Sequence, residues 1–314
     1  MGNLVWIHDL QPGRTCQVTN SAGRHACTTR NRPLTGYVEC GYHEGVTNRS
    51  LHDDPVLAIM QLAKRVAGID LSENKRTLVE SRLGKRLRQL DCDMPAYAER
   101  LVSDRTELVI CLDLLTTNHT FWLREADHFA DFEGRVLPSL KARRRARIWC
   151  AAAATGEEPY TIALCLARSL PDLASWDTAI LSTDISTRAL DRAAEAVYVE
   201  ERVSHLTEAD RRIALDLVDR GPPKVWRVRP ELKRLVHLAR LNLMDASWPM
   251  RGPFDVIFCR NVMIYFDRPT QERLVNRLAA LLVPGGTLYV GHSESLSAIK
   301  HPLRTLAPAT YQKH

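Results

Sequence analysis

Arg147-Ile-Trp-Cys-Ala-Ala-Ala-Ala-Thr-Gly-Glu-Glu-Pro-Tyr160 decides the fold of this chain. Ile148 to Ala153 reads as a short buried strand, Ala154 to Gly156 as a turn of small residues, and Glu157 onward as a helix. Pro159 falls in the first turn of that helix, where a missing N–H costs little. Ile162, Leu164 and Leu166 carry the helix into a core. A strand, a small-residue turn and a helix N-terminus form the usual nucleotide cradle of a doubly wound α/β sheet. There is no GK[ST] lysine and no full GxGxxG, which argues against a phosphate ligand. Instead the carboxylates Glu157 and Glu158 stand where an anion would sit. They suit a ligand with an ammonium group or ribose hydroxyls, such as S-adenosylmethionine.

Downstream, Thr178 to Asp184 reads as a second strand ending in an acid. A carboxylate there is well placed to take both ribose hydroxyls; the alternative is a cap for the helix that begins near Thr187. Residues 199–240 break the α/β rhythm. Val225–Val228 and Leu235–Leu238 read as short strands of a small antiparallel insertion. Val256 to Cys259 is a further buried strand, followed by a helix from Thr270 to Leu282 with Asp267 as its cap, then strands at Thr287–Val290 and Thr310–Gln312.

Upstream, residues 53–115 carry apolar residues at helical spacing (Val56, Ile59, Met60, Ala63; then Val79, Leu83, Leu87, Leu90) and predict a compact all-helical domain. Its second helix, Glu73–Leu90, is strongly basic through Lys75, Arg76, Arg82, Lys85, Arg86 and Arg88. That pattern fits a solvated face, or a docking surface for an acidic helix or bundle. Thr116 to Glu125 interleaves polar and aromatic residues, as a linker packing over a ligand or a helix cap would. Ala126 to Leu140 reads as one helix. Residues 1–52 show no apolar periodicity and predict a poorly ordered extension. Cys16, Cys27, Cys40 and His43 within it match no zinc-finger spacing.

A content of 45% hydrophobic and 25% charged residues is that of a soluble globular protein. No run of eighteen apolar residues or signal-peptide core is present, so no membrane insertion is expected. The net charge of +6 permits an acidic partner without requiring nucleic acid. Cys111, Cys150, Cys165 and Cys259 lie in apolar stretches and read as reduced core thiols of a cytoplasmic protein.

Six segments, in order, give the chain a family resemblance. They are Thr117-Asn-His-Thr120 with Arg124-Glu125; Thr155-Gly-Glu-Glu-Pro-Tyr160; Thr183-Asp-Ile-Ser186; Gly252-Pro-Phe-Asp255; Cys259-Arg-Asn-Val-Met-Ile-Tyr-Phe266; and Gly291-His-Ser-Glu294. The set resembles the chemotaxis receptor glutamate methyltransferases of the CheR type over about residues 55–314. The resemblance implies an α/β fold: a Rossmann-like S-adenosylmethionine-dependent methyltransferase domain (116–314) with a small antiparallel β-subdomain, preceded by the all-helical domain. It implies S-adenosyl-L-methionine as methyl donor, S-adenosyl-L-homocysteine as product, and glutamates in the acidic methylation region of the chemoreceptor cytoplasmic bundle as acceptors. Carried over residue by residue, cofactor contacts fall on Asn118, Thr120, Arg124, Glu157, Asp184, Asn242, Leu243, Arg260 and Asn261. Tyr265 takes the place beside the transferred methyl. Arg82, Lys85 and Arg86 match the receptor-facing helix, which turns the reading of that helix toward docking. The segment Asp219–Val228 is short for the loop that grips a receptor's C-terminal pentapeptide, so no such tether is expected.

Methyl transfer to a carboxylate needs little acid–base help. A glutamate with a pKa of about 4.3 is already ionised at pH 7. No metal and no general base are therefore expected, and Arg124 and Tyr265 read as orienting groups. The alternatives are a methyltransferase for another acceptor and a non-catalytic S-adenosylmethionine-binding adaptor.

Overall fold

The computed structural model describes residues 53–314; the extension expected over 1–52, with Cys16, Cys27, Cys40 and His43, lies outside the described residues. Four helices open the described chain: α1 (Pro55–Ala67), α2 (Arg76–Leu90, entered through a 3₁₀ turn at Glu73–Lys75), α3 (Met94–Ser103) and α4 (Arg105–Leu115). Three of them start at an aspartate whose carboxylate accepts an orphan N–H: Asp54 from Leu57, Asp93 from Ala96 and Asp104 from Glu107, each at 3.0 Å. Their apolar stripes close over Ile59, Met60, Val79, Leu83, Tyr97 and Leu101.

The linker leads to α5 (Ala126–Asp131), a π turn at Phe132–Val136 and α6 (Leu137–Leu140). The single helix expected over Ala126–Leu140 is thus interrupted, just ahead of Pro138, whose missing N–H weakens the ladder there. The central strands follow: β1 (Arg145–Cys150), α7 (Glu157–Ser169), β2 (Asp177–Asp184) and α8 (Thr187–Glu195). A smaller unit comes next, with β3 (Val197–Val199), α9 (Glu208–Ala214), β4 (Leu215–Asp219) and β5 (Val225–Val228). The chain then returns through α10 (Pro230–Lys233) to β6 (Val236–Arg240), β7 (Phe254–Cys259), α11 (Arg268–Leu281), β8 (Leu282–Val290), β9 (Leu303–Ala307) and β10 (Thr310–Lys313).

The seven-stranded sheet runs β6-β2-β1-β7-β8-β10-β9. Its first five strands pair in parallel, while β10 is antiparallel to both β8 and β9. The α/β expectation therefore holds, and the strand order reverses beside β1. Both faces are covered, so all six residues of β7 are buried, the pattern of a parallel sheet interior. The small antiparallel sheet is β3-β5-β4. One expected strand changes place: Leu235–Leu238 was expected in this insertion, but β6 pairs in parallel with β2, from Ile180↔Val236 to Asp184↔Arg240. Its four apolar-leaning residues fit either sheet, and residues 185–235, with α8 packed against both β2 and β6, supply the crossover that a parallel partner needs. β3, β4 and β9 carry too little alternation to be read from sequence.

Cys111, Cys150, Cys165 and Cys259 are buried, free thiols. Burial raises the pKa of each, that of Cys111 to about 12.

Candidate active site

The carboxyl ends of β1, β2, β6, β7 and β8 form one rim. In open α/β sheets, ligands lie outside such ends, where strand order reverses. Backbone bonds lace this rim: Ala151 N–H donates to Phe258 O (2.8 Å), Ala153 N–H to Thr183 O (2.9 Å) and Leu241 N–H to Asp184 O (2.9 Å). Asn118 joins it from the linker, donating its side-chain amide to Ser186 Oγ at 3.2 Å. Among the described residues, eight non-glycine residues have positive φ, and four of them lie here: Leu123, Glu125, Ala154 and Asn261, between +46° and +58°. Such strained backbone persists only where its surroundings hold it, and it gathers at functional sites.

Asp184 accepts from Ala154 N–H (2.8 Å) and Ser186 N–H (2.9 Å). Burial raises its pKa, and those two N–H bonds oppose the rise. A carboxylate has about four acceptor positions, so two remain for hydroxyls. The helix-capping alternative goes instead to Ser186, whose hydroxyl accepts from Ala189 N–H at 3.2 Å. In the turn below, a Cβ on Gly156 (φ +99°) would meet Tyr198 Oη at 2.7 Å and Ala193 Cβ at 2.9 Å. Only glycine fits that position.

Several expected site residues face inward. Glu157 is fully buried, accepting from Thr155 Oγ1 at 2.6 Å and paired with the Arg202 guanidinium. This corrects its reading as the carboxylate offered to a ligand ammonium. A carboxylate without water needs its own counter-ion, and Arg202, in the 3₁₀ turn Glu200–Val203, provides it. Arg260 is likewise enclosed. Its guanidinium donates to Arg124 O and to Glu125 Oε2 (3.1 Å), pairs with Glu158 Oε2 (3.2 Å), and lies 5.1 Å from the centre of the Phe129 ring. Its main chain, and not its guanidinium, is what the end of β7 presents. Asn242 donates to Val66 O of α1 (2.6 Å) and accepts from Met244 N–H (3.0 Å), so its side chain joins the two domains. Leu243 is a buried core residue. Thr120 is also buried.

Arg124 is half-buried, donates to His119 O (2.9 Å) and sits 5.8 Å from the Phe121 ring centre. Tyr265 is half-buried in the 3₁₀ turn Met263–Tyr265, and its carbonyl accepts from Asp70 N–H at 2.8 Å. The two segments are fastened together, because Asn261 Nδ2 donates to Glu125 Oε1 at 3.0 Å.

Of the expected docking cations, Arg82 donates to Leu115 O (2.5 Å) and Thr117 Oγ1 (2.8 Å), fixing the start of the linker. Arg86 grips Glu107 at 2.8 and 2.5 Å, and the Tyr97 hydroxyl bonds the same carboxylate. Both cations already serve the chain's own packing. Lys85 is exposed.

Sequence reasoning missed His128, Arg202 and Asp113, and it missed the pairing of Glu125 and Glu158 with Arg260, which turns Glu158 from the ligand toward the interior. Asp113 accepts from Thr187 N–H (3.2 Å) and Oγ1 (2.6 Å) and so docks α4 onto α8. Partners tens of residues apart leave no local signal. Glu125, His128 and His292 bring ligand atoms within 4.8 Å of one another, yet Arg260 and Asn261 already engage Glu125. Burial first, then Arg260, lowers the His128 pKa to about 4. Unfolded, it titrates near 6.5, so between about pH 6.5 and 4 the unfolded chain binds the extra proton and stability falls with falling pH. That drop is of order 3 kcal/mol. Replacing His128 with Phe should flatten this stretch of a denaturation-versus-pH curve.

A parallel sheet reversing at β1, a small-residue turn and a ribose-competent acid define a Rossmann-like methyltransferase. The buried Asp184 and the glycine-dependent turn fit a nucleoside donor. The family model "CheR methyltransferase, SAM binding domain" matches residues 118–311, and "CheR methyltransferase, all-alpha domain" matches 57–116. The chain is similar to a probable chemotaxis protein methyltransferase of Rhizobium etli (42% identity, 78% of this chain and 94% of that one). It is also similar to chemotaxis protein methyltransferase 2 of Pseudomonas aeruginosa (41%; 79% and 88%) and to the chemotaxis protein methyltransferase of Escherichia coli (40%; 85% and 94%). The chain belongs to the CheR family of S-adenosylmethionine-dependent methyltransferases that act in chemotaxis. Among the described residues, no helix is long and apolar enough to cross a membrane.

Proposed function

We propose that this chain methylates glutamate side chains in the acidic methylation region of chemoreceptor cytoplasmic bundles, forming glutamyl methyl esters during sensory adaptation in the cytoplasm. The observation that carries the reading is the fastening of the Arg124–Glu125 turn to the Asn261–Tyr265 turn across the β1/β7 crevice. Asp184, Asn118, Thr120 and the main chain of Arg260 and Asn261 hold the donor, which supplies an electrophilic methyl on a sulfonium when bound. Arg124 orients the acceptor carboxylate, and Tyr265 fixes the approach with its hydroxyl. Ionised at neutral pH, that carboxylate asks for no base. Holding it in line contributes several kcal/mol of the rate enhancement.

Lys85, with Lys75 and Arg88 exposed on the same basic segment, steers the acidic bundle, while Arg82 and Arg86 shape that face from within. Only residues 220–224 separate β4 from β5, which supports recruitment without a C-terminal pentapeptide tether. Joint reversal, Lys85→Glu with Arg88→Glu, should raise the KM for receptor fragments several-fold and flatten its salt dependence, with the S-adenosylmethionine Kd unchanged. The product identifies itself: methyl label released as methanol by mild base marks an ester, whereas label that survives base marks another acceptor and defeats the proposal.

A further inference from the structure

Beyond Cys259, paired with Val290, the ladder between β7 and β8 ends. The amides that follow would have no strand to bond. One buried side chain takes them. Glu294 Oε2 accepts from Asn261 N–H (2.7 Å) and Gly291 N–H (2.6 Å), and Oε1 accepts from Ile264 N–H (3.2 Å). The Glu294 backbone N–H closes its own turn on Gly291 O at 2.8 Å. The fit needs glycine at 291: a Cβ there would lie 2.5 Å from Asn261 Nδ2 and 2.8 Å from Glu294 Oε2. Asn261 is in the left-handed region at φ +57°, a conformation that costs energy unless it is held. Three N–H groups converging on one carboxylate make such a hold. From the other side, Gln271 Nε2 donates to Met263 O (2.9 Å) and Phe266 O (3.0 Å). Ile264, half exposed at 51%, rides at the tip of the turn next to Tyr265.

We infer that Glu294 is a positioning residue for methyl transfer, its carboxylate holding the Asn261 and Ile264 amides so that the turn presents Tyr265 to the crevice. The inference rests on the role proposed for Tyr265. Glu294→Gln replaces one acceptor with an NH₂ that faces N–H donors. Amide exchange at Asn261 and Ile264 should quicken, and kcat should fall roughly tenfold to a hundredfold, the loss expected for a charged hydrogen-bond acceptor. The KM for receptor should stay within about twofold, because the lost contact serves orientation and not receptor binding. Since Glu294 acts through Tyr265, Glu294→Gln combined with Tyr265→Phe should be little slower than the slower single variant. Glu294→Asp, which keeps the charge on a shorter arm, repeats both readings if the amide variant does not fold. Unchanged exchange at both amides overturns the clamp. Faster exchange with an undiminished kcat, or losses that multiply in the double variant, overturns the positioning role. Absence of receptor methyl ester from the unsubstituted protein would defeat the proposed function instead, while the exchange measurement still decides the clamp.

Discussion

Arg124→Ala should leave the protein folded and cut receptor methyl-ester formation by about a hundredfold or more. Arg124 is half-buried, with one bond to the His119 carbonyl and the face of Phe121 beside it. Exposed or half-exposed contacts of this kind stabilise by about 1 kcal/mol or less. The Arg124 carbonyl, which Arg260 holds, survives the substitution, so the left-handed pair Leu123 and Glu125 keeps its support. Orienting a carboxylate is a different matter, since a charge-assisted bond that also sets attack geometry is worth about 2–3 kcal/mol or more. Loss of kcat with an unchanged melting temperature is therefore the expected signature. Tyr265→Phe should behave alike, because among the described residues no side chain bonds the Tyr265 hydroxyl. Steady-state kinetics beside thermal denaturation checks both variants, and wild-type turnover in either would remove that residue from the mechanism.

Arg260→Met should have the largest effect on stability, a loss of about 3–5 kcal/mol, because it strands buried carboxylates. Arg260 has no exposed side-chain surface and stands between Glu125 and Glu158. Burial already raises the Glu158 pKa, with Arg260 opposing the rise and the Cys150 thiol 3.2 Å away. Without the guanidinium, Glu158 takes up a proton more readily. The penalty of its buried charge is then relieved as pH falls through the higher folded pKa, so the deficit of the variant narrows toward acid. Against a typical total stability of 5–15 kcal/mol, such a loss should lower Tm by roughly 10 °C. Adding Glu158→Gln should recover part of it, because the two changes share one interaction. A Tm within about 2 °C of the parent would contradict the buried triad.

The α/β class was legible because β1, β2 and β7 are short apolar runs that end in turn residues, and α7 follows with its proline in the first turn. The family was legible because six short motifs occur in order. Asp184 was legible for the same reason, as an acid at the end of a strand. What could not be read was where charge goes after folding. Glu157 finds Arg202 some forty residues on, Arg86 finds Glu107, and Asn242 reaches back to Val66. No local pattern encodes those pairings. They turn expected ligand contacts and docking cations into braces. The strand expected at Leu235–Leu238 went to the wrong sheet because a brief apolar run carries no information about its partner. Glu294 stood in a quoted motif, but three amides must converge on it before it has a role.

The central claim is that Arg124 and Tyr265 direct a methyl group onto a receptor carboxylate. Its most direct measurement is incubation of the full chain with methyl-labelled S-adenosylmethionine and purified receptor cytoplasmic fragments, with peptide mapping of the product by mass spectrometry. The account predicts one added methylene on specific glutamates, label released as methanol by mild base, and loss of both signals in Arg124→Ala. Tight S-adenosylmethionine binding with no label on any receptor glutamate, or base-stable label on another residue, would contradict it.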